Sequence, residues 1–171
     1  MLNRTAFILL LGLLFLSSCI HAPVKTSVEA SKTETQITSY EELKSVLFSG
    51  QTVRIRNFYY RCKEMNQETG EAHPGADAVG GMELDTFEYF GDSVFKNKPP
   101  YLATSKSQLI LVNGKFYQDY VKLRFYPDET VEIIAKFYDI ENHEIIDLHD
   151  ISCRLNKGGD DDGGVCLYYG S

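Results

Sequence analysis

The chain has 171 residues, with 17 basic and 24 acidic side chains, a formal net charge of −7, and 11 Tyr, 10 Phe and no Trp. That length suits one domain with a real core. An acidic chain without basic blocks argues against binding nucleic acid or docking electrostatically on anionic lipid.

In chain order, the first predicted element is an export signal. Arg4 supplies one positive charge before the apolar run Ala6–Leu16, and Leu16-Ser17-Ser18-Cys19 follows at once. The run is too short for a comfortable membrane span, which needs about 20 apolar residues. A basic start, a short apolar run and small residues before a Cys match a secretory signal with a lipobox. Cleavage between Ser18 and Cys19 is therefore expected, with lipidation of the Cys19 thiol. Acyl chains contribute about 0.8 kcal/mol per buried methylene, so several of them hold a protein at the membrane. Ile20, rather than an Asp, follows the Cys, which favours the outer membrane. Residues 20–38 are rich in Ser, Thr, Lys and Glu without apolar periodicity, and are expected to form a tether of about 25 Å reach. The alternative there is an N-terminal strand around Thr35–Thr38.

A folded domain is expected over 39–171. Ser39 and Glu42 have the spacing of a capping box. Tyr40, Leu43, Val46 and Leu47 share one helical face, and Gly50 stands where a left-handed cap ends a helix. The period then changes to two, with Val53 and Ile55 alternating with Arg54 and Arg56. Residues 63–81 are polar and Gly-rich, and suggest an exposed loop. Met82 and Leu84 open another strand, whereas Phe87 and Tyr89 have the opposite parity, so a bulge is expected near Asp85–Thr86. Asn113-Gly114 between apolar runs predicts a hairpin with a type I′ turn. Val121, Leu123 and Phe125 alternate with Lys122 and Arg124. After a turn at Pro127–Thr130, Val131, Ile133, Ala135 and Phe137 alternate again. Residues 143–155 form another strand, and Val165–Tyr169 the last. The expected fold is mainly β: one N-terminal helix packed on an antiparallel sheet of about six to eight strands, in a small barrel or sandwich.

Four Cys are present: Cys19, Cys62, Cys153 and Cys166. With Cys19 lipidated, an oxidising compartment predicts one disulfide and one odd thiol, pairing either 62 with 153 or 153 with 166. Asp147 and His149 are two apart on a strand and share a face, with His143 nearby, but a third metal ligand at suitable spacing is missing. His73 lies beside Glu71 and Asp77 in a loop. Asp160, Asp161 and Asp162, flanked by glycines, are weak candidates for a Ca²⁺ site; neither EF-hand nor β-roll spacing is present, and a solvated acidic turn is the plainer reading. Sequence motifs for a serine hydrolase elbow, a zinc protease and a phosphate loop are missing. A nucleophilic Cys166 would need a neighbouring base that the sequence does not place.

From Ser39 onward the order of features resembles the VirK family of small exported proteins associated with virulence loci. The matching elements are Ser39-Tyr40-Glu41-Glu42-Leu43 with Gly50 and Val53, Cys62, Gly80-Gly81, Asn113-Gly114-Lys115, Tyr126-Pro127-Asp128 with Thr130-Val131, Cys153, and Gly164-Val165. Together they span residues 39–169. The resemblance implies a Cys62–Cys153 disulfide and makes Cys166 an addition of this chain. Two departures stand out: Glu129 occupies a turn position where the family usually has Gly, and Ser107 lies near a position where members often carry His. A lipobox is not uniform in the family. The resemblance brings no biochemical activity. The expected function is therefore a non-enzymatic envelope lipoprotein without a cofactor, held at the membrane and binding a protein partner. The alternatives are a carrier of a small apolar ligand, motivated by the aromatic strands, and an inhibitor of a cell-wall-degrading enzyme.

Overall fold

The computed structural model describes residues 34–94, 96, 98–159 and 163–170. The signal and lipidation positions Ser18 and Cys19, and the candidate carboxylates Asp160, Asp161 and Asp162, lie outside the described residues.

In chain order the elements are β1 (Thr35–Ile37), α1 (Tyr40–Phe48), β2 (Val53–Phe58), β3 (Lys63–Met65), β4 (Ala72–Pro74), β5 (Val79–Leu84), β6 (Glu88–Phe90), β7 (Tyr101–Val112), β8 (Lys115–Phe125), β9 (Thr130–Asp139), β10 (Glu144–Arg154) and β11 (Val165–Tyr169). A single 3-10 turn, Tyr59–Arg61, joins β2 to β3. Four strands in the order β1-β11-β2-β5 make one sheet, and seven in the order β4-β3-β10-β9-β8-β7-β6 make the other. Neighbouring strands run antiparallel throughout both sheets. The sheets are not closed into a barrel, and the architecture is a sandwich.

The helix forms as its sequence predicts, with one change at its start. The Ser39 side chain accepts from the Glu42 N–H at 3.2 Å. Glu42 does not return the bond to Ser39; its carboxylate takes the N–H of Thr38 at 2.9 Å, fastening the end of β1 instead. At the other end Gly50, at φ +79°, directs its N–H to Leu47 O while Gln51 N–H reaches Val46 O. This is the paired-bond ending that a left-handed glycine permits. Tyr40, Leu43, Val46 and Leu47 are buried, as the helical stripe implies.

Three expectations are corrected. The tether does not run to residue 38: Thr35–Ile37 pairs with Leu167–Tyr169, because Ile37 is fully buried and anchors the segment. The polar stretch 63–81 holds the β3–β4 hairpin and the start of β5. The side chains of β4 are exposed, so backbone pairing there leaves no hydrophobic period to read. The parity change at 85–86 is not a bulge. Leu84 ends a strand of the four-stranded sheet, and Glu88 begins one of the other, so the reversed parity marks a crossing between layers.

The core lies between the sheets near α1. It includes Ile37, Leu43, Val53, Leu84, Leu102, Leu123, Phe125, Val131, Ile133 and Leu167. Cys62 and Cys153 form a disulfide that joins the end of the 3-10 turn to β10 within it. Gly164 is required at this point, because a β-carbon there would stand 2.5 Å from Cys62 Sγ.

Candidate functional site

The long strands of the seven-stranded sheet outrun the sheet that covers them. In β7 the first four residues, Tyr101–Thr104, are buried and those beyond are largely exposed; in β10 burial is confined to Ile151 and Cys153. Strands β7–β10 therefore project past the core as a four-stranded arm. Its tip carries the Asn113-Gly114 turn, with φ of +51° and +80° at the two residues, as a type I′ hairpin requires. The adjacent turn is fastened by Asp139, whose carboxylate accepts from the N–H groups of Glu141 and Asn142.

Along this arm the outward face becomes apolar as well. Near the core the inward residues of β8 and β9 are Leu123, Phe125, Val131 and Ile133, and the outward ones are Lys122, Arg124 and Glu132. Register carries the inward face along the arm through Val121, Phe137, Tyr117 and Ile110, with Asp119, Asp139, Asp147 and His149 among them. The outward face becomes Leu109, Leu111, Phe116, Tyr138, Ile145 and Leu148. Leu109 is 61% exposed, Leu111 62%, Phe116 52% and Ile145 53%. Clustered apolar side chains of this size on open surface mark a contact surface more often than a defect. The sequence carries one sign of this second apolar face: Leu109–Val112 and Phe116-Tyr117 are apolar at both parities, which neither a half-buried strand nor an ordinary exposed one requires.

On the inward face of the arm, Asp147 and His149 do meet, as their spacing predicts. His149 Nε2 lies 3.0 Å from Asp147 Oδ2, and its Nδ1 lies 2.5 Å from Glu64 Oε1 on β3. A neutral imidazole donates from only one nitrogen, so satisfying both carboxylates favours the imidazolium. The Glu64 hydrogen bond, aided by the Asp147 charge, raises the His149 pKa against the opposing effect of burial. The third member, Glu64, was not legible in the sequence. Among the described residues no group of three or more His, Cys, Asp or Glu is arranged to hold a metal. His143 pairs instead with Tyr138 Oη at 3.3 Å, and His73 with the carbonyl of Pro74 at 3.1 Å. Glu71 and Asp77 have exposed side chains beside it.

Where the sheets part, a cleft of about 290 Å³ is lined by polar Asn57, Lys106 and Asp119 together with Tyr59, Met82 and Val121, among others. Gln108 closes part of it by donating to Asp119 at 3.0 Å. Asn57 is 2% exposed and its Oδ1 has no hydrogen-bond partner among the described residues. Cys166 is a buried free thiol on β11, in the four-stranded sheet. His73, His143 and His149 all belong to elements of the other sheet or its turns, so none of these three is a strand neighbour of the thiol.

Comparison with known proteins agrees with this architecture. A solved structure, lpg1832, a VirK family protein from Legionella pneumophila, superposes with a TM-score of 0.60 at 14% identity, covering 77% of this chain and 97% of that one. No curated protein matches the sequence. The family model described as VirK protein matches residues 36–143, from β1 to the far turn of the arm. The fold and that matched stretch agree on one assignment: this chain belongs to the VirK family.

Proposed function

We propose that this chain is a non-enzymatic envelope protein, anchored through a lipidated Cys19 in the outer membrane, that binds another protein with the outward face of its arm. The observation that carries the reading is the exposed apolar patch on the outward face of the arm. Leu109, Leu111, Phe116, Ile145 and Leu148 lie exposed on paired strands, at the end farthest from the core. Protein contacts characteristically centre on such apolar and aromatic groups. Inhibition of a cell-wall-degrading enzyme would be one form of this binding.

The carrier reading has less support. Many of the aromatic residues that motivated it, among them Phe116, Tyr117, Tyr120 and Tyr138, stand on the arm rather than inside the sandwich. The gap beside Tyr40, Phe125 and Leu155 has no room for a water molecule.

The test uses the full chain in its own envelope, crosslinked in place and recovered from the membrane fraction. Phe116→Ser with Ile145→Ser should reduce partner capture at least about tenfold, as loss of hot-spot side chains does. Both positions are exposed, so stability should change by no more than about 0.5 kcal/mol each. Equal capture by the variant, or recovery of the chain from the soluble fraction, would refute the reading.

A further inference from the structure

The arm has two edges, and they differ. Strand β6 pairs with β7 only at Tyr101–Ala103, and β3 pairs with β10 only at Ile151 and Ser152. Among the described residues no strand pairs with the outer side of Ser105–Val112 or of residues 144–150. The β10 edge is guarded. A register shift lies between Ile145 and Asp147, and Glu144, Asp147, His149 and Asp150 place charge along it. Bulges and charges are what keep a sheet edge from pairing with another chain. The β7 edge is more weakly guarded. Its register with β8 is unbroken from Leu102 to Val112, it contains no Pro or Gly, and Lys106 is its one charge between Ser105 and Val112.

Backbone geometry then says which groups face outward. The two-residue turn makes Val112 and Lys115 the hydrogen-bonded closing pair, and such pairs alternate along an antiparallel ladder. Lys106, Gln108 and Ile110 therefore bond to β8. Ser105, Ser107, Leu109 and Leu111 turn their N–H and C=O groups to the open edge.

We propose that this edge pairs with the same edge of a second copy of the chain, antiparallel about a two-fold axis at Leu109. Self-complementarity selects the second copy. With Leu109 opposite Leu109 of the second copy and Ser107 opposite Leu111, each outward-facing backbone group meets its complement, for about six hydrogen bonds. Residues of one parity stay on one face, so the apolar surfaces of the two arms become continuous. Charge agrees: two copies of a chain with a net charge of −7 repel over most approaches, and this edge carries no acid. An eight-residue strand pair falls below the roughly 800 Å² per partner of a stable interface, so the association is expected to be reversible, with a dissociation constant on the order of micromolar. The proposal rests on the backbone edge and is independent of what the outward face binds.

The test introduces Leu109→Cys into the full chain, expressed in a bacterial envelope and oxidised mildly. A hydrogen-bonded pair places the two α-carbons about 5.5 Å apart, within the range of about 4.4–6.8 Å that a disulfide spans. Leu109→Cys should give a disulfide-linked dimer of twice the chain mass; the unaltered chain and Gln108→Cys, whose residue is off the axis, should not. Leu109→Pro, which removes an outward N–H that an edge strand can spare, should weaken association of the solubilised full chain at least tenfold by sedimentation. Monomeric Leu109→Cys with its Cys62–Cys153 disulfide intact by mass would overturn the proposal. So would equal crosslinking by Gln108→Cys, linkage to a protein of different mass, or unchanged association of Leu109→Pro.

Discussion

Glu129 shows how one residue can serve two elements. It sits at φ +68° in the turn between β8 and β9, a conformation that costs an L-residue about 1–2 kcal/mol relative to glycine. In return, its carboxylate accepts the Tyr40 N–H at 3.1 Å, satisfying a donor at the start of α1. The Leu155 N–H also bonds its carbonyl at 2.9 Å. Glu129→Ala keeps the backbone strain and loses the cap, so it should destabilise the fold by about 1 kcal/mol. Glu129→Gly loses the cap but relieves the strain, and should fall within about 0.5 kcal/mol of the parent. Urea midpoints of the two variants check this order; a more stable Ala variant would contradict it. The turn was legible from Pro127-Asp128, and so was the oddity of Glu129 at a glycine position. Its bond to α1 joins residues 89 positions apart, and local pattern does not encode that distance.

At the scale of elements, long strands with one buried face were legible and short or two-sided ones were not. Leu123, Phe125, Val131 and Ile133 face the core, so their alternation with polar residues follows from burial. β3 and β4 are three residues each and show no hydrophobic alternation, so their pairing leaves no period to read. His149 nevertheless ties β3 to β10 through Glu64. Because these bonds raise the folded-state pKa above the ordinary 6.5, their stabilisation is full below pH 6.5 and disappears as pH rises through the raised value. The site is about one-third exposed, so after solvent screening the contribution is on the order of 1 kcal/mol. Melting temperature should fall by about 2–4 °C between pH 6 and pH 9 from this source. His149→Gln should remove that part of the slope; an identical pH profile for the variant would reject the assignment.

For the whole molecule, the Cys62–Cys153 disulfide is the longest-range covalent constraint among the described residues, with a sequence separation of 91. On the chain-entropy model it stabilises the fold by about 4–5 kcal/mol. Replacing both Cys with Ser should lower a guanidinium-derived stability by that amount, and a loss below about 1 kcal/mol would show that the denatured chain is already constrained. Local pattern was enough for the helix and its stop, the main strands, the sandwich-or-barrel class and the VirK resemblance, because each rests on neighbours within a few residues or on motif order. That the sheets stay open, that the chain changes layer at 85–86 and that the arm outruns its cover emerged from the assembled fold alone. Those outcomes depend on which strand lies against which, and so does the exposure of an apolar face and a bare strand edge.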